Sequence, residues 1–431
     1  MELNNTQHGI FKSPCHRPFF IAVHVGVGQH SAQKEKAYKT VMRQACRMGA
    51  EELQAAGDPL QAVVAAVSSL EDAPLGNAGL NSNLTVKGVV QCDASTMVGD
   101  GAFGAVGAVS GVTNPVRIAG ELARQSREPM ALGRVRPMFL AGDGAREWAL
   151  EQGLSAAPSP EAASQWHITD AAQRRWQRYQ RLIDEASQSQ EAPSSAIGAQ
   201  RLFKPEGEPG TTMTQDASPP AKRLRTDTTG SSRTATAQHQ ASASCEEDAD
   251  CLAYDTVGAV CVDALGRVAA SVSSGGIAMK TDGRVGEAAM FGSGCWAADA
   301  EPSPDRPAVA CSVTGVGEAV MRAGLSRACA EALQVDAAAA AAEADARTST
   351  VDAICGREIR DCVELGQPAG LPCPHRDCGV LAVRVSRSSG GAGGSGGVDV
   401  AGCGALGGNL GSQERSSSMA ATAGAADEGG Q

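Results

Sequence analysis

The sequence is poor in aromatic residues: 7 Phe, 4 Trp and 3 Tyr make up only 3% of 431 residues. With 51 glycines beside them, part of the chain has too little to bury for a packed core. Positive charge is also scarce. Lys and Arg number 37 against 48 Asp and Glu, a formal charge of -11, which argues against general nucleic-acid binding while allowing a local basic patch. No stretch approaches the ~20 apolar residues of a membrane span. Residues 1–18 are polar and lack the apolar core of a secretory signal. The expectation is a soluble intracellular protein with no membrane partner.

The 14 cysteines are irregularly spaced. Cys46, Cys92, Cys261 and Cys311 sit in apolar runs, as free buried thiols do. Cys355, Cys362, Cys373, His375 and Cys378 form the one cluster, and its spacing fits no common zinc finger. No metal is expected.

Periodicity gives a mixed α/β first half. A helix is expected from about Ser31 to Gln54, and a second has Asp58 as N-cap and Pro59 in its first turn. The second buries Leu60, Val63, Val64, Val67 and Leu70 at helical spacing. Strand-like runs follow at Leu84–Val90 and Gly104–Val109, then a helix from Pro115 to about Gln125 and a charged helix between Thr169 and Ala186. Residues 187–250 are rich in Ser, Thr, Pro, Gln and Gly and read as a disordered loop. Within it Lys222, Arg223 and Arg225 suit a nuclear-import receptor, which gives a nuclear and cytoplasmic location; solvated charge is the plainer alternative. Residues 388–431 are Gly/Ala/Ser-rich and read as a disordered low-complexity tail.

The loop ends just before Asp255-Thr256, which opens the apolar run Val257–Val262. A β-branched residue at a strand start needs no further role. If the preceding peptide bond is cut, however, Thr256 gains an α-amine with a pKa of about 7.7–8.0. Hydroxyl and base then sit on one residue, as an activated threonine nucleophile requires. A hairpin loop of Ala264, Leu265 and Gly266 pairs Asp263 with Arg267 and puts Thr256 opposite Ser274; a two-residue loop puts Ser273 there instead. Arg284, flanked by Gly283 and Gly286, can bring its guanidinium to a carboxylate. Thr314 and Gly315 precede a helical stretch, where Thr314 serves as a cap or as part of an oxyanion site.

Asp255-Thr-Val-Gly-Ala-Val, Ser273-Ser-Gly-Gly, Gly283-Arg-Val-Gly, Gly294-Cys-Trp-Ala and Thr314-Gly-Val-Gly-Glu, in that order, resemble the N-terminal-nucleophile hydrolases of the plant-type asparaginase family. Phe19–Gly28, with its His24-Val-Gly26-Val-Gly28 loop, Glu71–Leu84 and Cys92–Ser95 are similar to the family as well. The resemblance covers roughly residues 19–185 and 252–335, and within the family it is closest to the threonine aspartase (taspase) branch.

That resemblance implies an α/β fold, a four-layer αββα sandwich. Residues 19–255 would form the α-subunit portion and 256–387 the β-subunit portion, after a flexible N-terminus of residues 1–18. The family closes one sheet with a further strand pair, for which Val398-Asp-Val-Ala is a poor substitute. Thr256 is the implied nucleophile, released by cleavage after Asp255; Ser274 bonds it, and Thr314 and Gly315 hold the oxyanion. Arg284 binds a substrate carboxylate, Gly26 and Gly28 shape the site, and Glu287 takes the place of the asparaginases' Asp that pairs with a substrate amine. No cofactor is implied.

The sequence favours an autoprocessing endopeptidase that cuts protein substrates after aspartate. The alternative is an asparaginase or isoaspartyl peptidase, and a third reading is a non-enzymatic nuclear adaptor. The expected partners are Asp-containing protein substrates and the chain's own α and β fragments, paired as a heterodimer that dimerises again.

Overall fold

Small residues alternate along the strands and let two sheets pack face to face. The computed structural model describes residues 19–26, 32–191, 256–301, 306–335, 355–359, 378–386 and 397–405, with only the backbone given for 189–191, 386 and 397–405. Residues 1–181 with 249–431 form one compact unit and residues 182–248 another. Of the second, only the end of one helix is described.

In the first unit, six strands lie in the order β1-β5-β6-β2-β3-β4. They are β1 (Phe20–His24), β2 (Cys92–Val98), β3 (Phe103–Val109), β4 (Phe139–Ala141), β5 (Val257–Val262) and β6 (Val268–Ser274). Only β3 and β4 are parallel. A second, antiparallel sheet has the order β10-β9-β8-β7, from β7 (Cys295–Ala298), β8 (Ala308–Gly315), β9 (Cys378–Ser386) and β10 (Gly397–Ala405).

Strand parity assigns the faces. Val257, Ala259 and Cys261 pack with Val63, Val67, Ile118 and Leu122 of α2 (Pro59–Glu71) and α3 (Pro115–Gln125), and α1 (Glu35–Ala55) adds Met42 and Leu53 to the same core. Val260, Val262, Val268, Ala270 and Val272 face the other sheet and meet Ala297, Ala308, Ala310 and Leu381. Val309, Cys311 and Val313 point outward to Cys329 and Leu333 of α8 (Leu325–Val335). The result is helix, sheet, sheet, helix: the αββα sandwich that the resemblance implied.

The two sheets are tied where His24 Nε2 and Ser312 Oγ share a hydrogen bond of 2.8 Å. A side chain at Gly258 would collide with both atoms, so glycine is required there. Asp58 caps α2 by accepting from the Leu60 N–H at 3.0 Å, with Pro59 in the first turn. The charged helix, α6 (Asp170–Glu191), runs a few residues beyond its expected end.

Two expectations need correction. Leu84–Val90 is not a strand: Thr85 N–H donates to Val89 O at 2.9 Å around Lys87-Gly88, so the run folds back as a turn with one Leu84–Val90 bridge. The strand of this region is β2, which begins at Cys92. Residues 397–405, expected within a disordered tail, form edge strand β10 in register with β9 from Gly397↔Ser386 to Ala405↔Cys378. Backbone pairing along an open edge suffices there, although side-chain composition is weakly strand-like.

The eight cysteines whose side chains are described are buried thiols, Cys355 and Cys378 among them. Cys362, Cys373, His375, Gly28, Asp255, Lys222, Arg223 and Arg225 lie outside the described residues. Among the described residues, no group of His, Cys, Asp or Glu could hold a metal ion, and no helix is long and apolar enough to cross a membrane.

Candidate active site

The parity that sends Val260 and Val262 between the sheets sends Thr256 there too, at the entrance to β5. The hairpin forms as expected: Asp263 N–H donates to Arg267 O at 2.9 Å, and Gly266 has φ 78°. Val257 pairs with Ser273, so the register continued by one residue sets Thr256 opposite Ser274. Thr256 Oγ1 lies 3.2 Å from Ser274 Oγ. Pairing of His24 with Gly258, extended along β1, brings Gly26 beside Thr256. Gly26 has φ 106°.

The shortest bond to the candidate nucleophile comes from Glu287. Thr256 Oγ1 donates to Glu287 Oε1 at 2.8 Å, and both residues are buried. Glu287 opens a single 3-10 turn, Glu287–Ala289. Asp93 on β2 fixes that turn, accepting from Gly286 N–H at 2.9 Å through Oδ2 and from Ala108 N–H at 2.7 Å through Oδ1. Burial raises the Glu287 pKa, against the opposing charge of Arg284 and the hydrogen bond from Thr256.

Arg284 Nε and Nη2 donate to Glu318 Oε1 and Oε2 at 3.0 and 2.8 Å, a forked pair. Burial acts to lower the Arg284 pKa, but the Glu318 bond and charge outweigh it and hold it above the usual value. For Glu318 burial works upward, and Arg284 overcomes it to hold the carboxyl low. Arg284 Nη1 is buried and, among the described residues, makes no hydrogen bond. One edge of the guanidinium is thus occupied, and Nη1 remains for a ligand.

Thr314 and Gly315 end β8, with Thr314 on the face that carries Ala308 and Ala310 between the sheets. The corner they form runs into α7 (Gly317–Ala323). A Cβ at Gly317 would stand 2.6 Å from Glu287 Oε2 and 2.7 Å from Arg284 Nη2, so the chain there passes against both side chains. Thr256 and Gly317 therefore meet at the Glu287 carboxylate, with Arg284 beside it and Ser274 against Thr256.

Asp93, Lys280, Asn77 and Asn83 were not singled out from the sequence as site residues. Lys280 Nζ donates to Gln91 O at 2.6 Å and lies 3.9 Å from Asp93 Oδ2, with both side chains fully buried. Asn77 and Asn83 donate to Gly276 O at 2.8 and 2.9 Å, while Gly276 N–H donates to Ser274 Oγ at 3.0 Å. Together they hold Ser274 in place. Their signal was a run of asparagines between apolar segments, which pays the cost of burial only when fully hydrogen-bonded.

Residues 17–357 match the family described as asparaginase, and the chain belongs to that family. It is an enzyme of the N-terminal-nucleophile hydrolase class. It is similar to the isoaspartyl peptidase/L-asparaginase of Xenopus laevis, at 27% identity over 308 residues, 71% of this chain and 73% of that one. It is also similar to the isoaspartyl peptidase/L-asparaginase of Homo sapiens, at 27% over 303 residues (70% and 72% of the two chains). The isoaspartyl peptidase of Salmonella typhimurium is 30% identical over 308 residues (70% and 74%).

Proposed function

We propose that this enzyme is an isoaspartyl peptidase or asparaginase whose nucleophile is Thr256, released by self-cleavage after Asp255. The observation that carries the reading is a buried acid, Glu287, held against both Thr256 and the Arg284 corner. Aspartate has two carboxyl arms that differ by one methylene. If Arg284 binds the α-carboxylate, the side-chain amide faces Thr256, and the free α-ammonium needs a nearby acid. Glu287 supplies one. The names of the relatives support the same substrate class.

In the mature enzyme the Thr256 α-amine takes the hydroxyl proton as Oγ1 attacks the amide carbon. Thr314 and Gly315 hold the developing oxyanion, a contribution of a few kcal/mol, about 2.7–4 in comparable sites. The amide C–N bond breaks, the α-amine returns the proton to the leaving nitrogen, and water hydrolyses the ester. Ser274 accepts a hydrogen bond from the Gly276 N–H and steadies the nucleophile.

A second reading is an endopeptidase that cuts after aspartate. It is favoured by Asp255, which would make the self-cleavage junction an after-aspartate substrate, and by the likeness of Gly294–Ala297 to the taspase pattern. There Arg284 would bind the β-carboxylate, and Glu287 would have no ammonium to meet. Offering a β-aspartyl dipeptide and an internally placed Asp peptide side by side separates the two. Turnover of the dipeptide alone supports the proposal; turnover of the internal peptide alone overturns it in favour of the endopeptidase.

A further inference from the structure

The proposed chemistry leaves one step without a base. Before the bond preceding Thr256 is cut, its nitrogen is an amide and cannot take a proton, so the self-sufficient arrangement of the mature enzyme does not yet exist. Another group must accept the hydroxyl proton. Thr256 Oγ1 has one proton and, among the described residues, two acceptors in reach, Glu287 Oε1 at 2.8 Å and Ser274 Oγ at 3.2 Å. The nearer is a carboxylate, the stronger acceptor. Ser274 Oγ already accepts from the Gly276 N–H.

We propose that Glu287 is the general base, and then the general acid, of the self-cleavage step. Its role changes once the cut is made. Glu287 Oε1 takes the Thr256 hydroxyl proton while Oγ1 forms a bond to the Asp255 carbonyl carbon. The C–N bond to Thr256 breaks, and Glu287 delivers the same proton to the departing nitrogen, which becomes the α-amine. Water then hydrolyses the ester, freeing the Asp255 carboxylate and restoring the hydroxyl. From that point the α-amine is the base, and Glu287 is free to meet a substrate ammonium. This inference rests on the proposed release of Thr256.

Side-chain length is part of the argument. An aspartate would end one C–C bond, about 1.5 Å, further from the hydroxyl. The glutamate reaches the nucleophile itself. Burial raises its pKa, which brings it nearer to the working range of a base at neutral pH. The charged groups around it are Arg284 on the preceding turn, Asp93 on β2, Lys280 after β6 and Glu318 on α7.

The test follows self-cleavage of freshly translated full-length chain by intact mass, over time and across pH 4–9. Glu287→Gln keeps the size and the acceptor oxygen but removes the base. It should slow the cut by about 100-fold or more while circular dichroism and the melting temperature stay near wild type. Glu287→Asp should also be slowed. The wild-type rate should rise with pH along an acid limb above the ordinary carboxylate range. A Glu287→Gln chain that cuts within a few-fold of wild type overturns the inference and leaves the hydrolase reading intact. If Glu287→Gln misfolds, the pH profile decides, and a flat wild-type profile overturns the inference. A folded wild-type chain that never cuts instead overturns the release of Thr256.

Discussion

Two buried glutamates flank β6 on opposite faces of the same sheet, and only one belongs to the candidate site. Glu71, at the end of α2, lies on the helix side behind Ser273; Glu287 lies between the sheets before Thr256 and Ser274. Burial raises both acids, Glu71 to about 8 against the opposing effects of Ser273, the Val116 N–H and Asn114. The difference lies in what each carboxyl touches. Glu71 Oε1 accepts from the Val116 N–H at 3.1 Å, in the first turn of α3, and so joins two helices. Glu287 touches a hydroxyl at the end of a strand, beside an arginine with one free nitrogen. A shifted pKa therefore does not mark a site by itself; the neighbours decide.

The comparison breaks most sharply at the nucleophile. Thr256→Ala should abolish hydrolysis, by roughly 1,000-fold or more, and leave a single uncut chain on a denaturing gel. Substituting the two acids sharpens the contrast. Glu71→Gln should leave the hydrolytic rate of the cut enzyme within a few-fold of wild type, whereas Glu287→Gln slows formation of that enzyme. Equal effects of the two substitutions on the cleavage time course would erase the distinction drawn between the faces.

Arg284→Met should cost about 2–3 kcal/mol in kcat/KM, roughly 30–160-fold, seen mainly as a raised KM for β-aspartyl dipeptides. Gly258→Ala tests the approach of the two sheets and should destabilise the fold by about 1–3 kcal/mol, read as a lower denaturant midpoint.

Stability should also depend on pH. Glu71 is protonated in the folded state up to about 8 but ionises near 4.5 when unfolded, so its contribution to stability is full below 4.5 and is lost as pH rises toward 8. His24 has the opposite slope. Burial holds it neutral down to about 4, with a backbone contact to Thr256 partly opposing, whereas unfolded it takes a proton near 6.5. Its contribution is full above 6.5 and is lost as pH falls toward 4. Urea midpoints measured from pH 4 to 8 should lose the Glu71 component in Glu71→Gln.

Much of this was legible in the chain because it rests on short-range rules. The turn at Ala264–Gly266 set the hairpin, and the hairpin set Ser274 beside Thr256. Asp58-Pro59 announced α2. What remained hidden depends on distant partners. Nothing near Asp93 in sequence shows that it fastens the Glu287 turn, since its partners are at Ala108 and Gly286. The Arg284–Glu318 fork links two segments that only the packing of α7 brings together. Residues 397–405 failed as a strand on composition because their pairing with β9 comes from register, not from side-chain preference.

The most direct measurement is N-terminal sequencing and intact mass of a catalytically active preparation. The expected result is a cut chain with one fragment beginning at Thr256 and activity rising in step with its appearance. Full activity in material whose bond between Asp255 and Thr256 is unbroken would contradict the account at its centre.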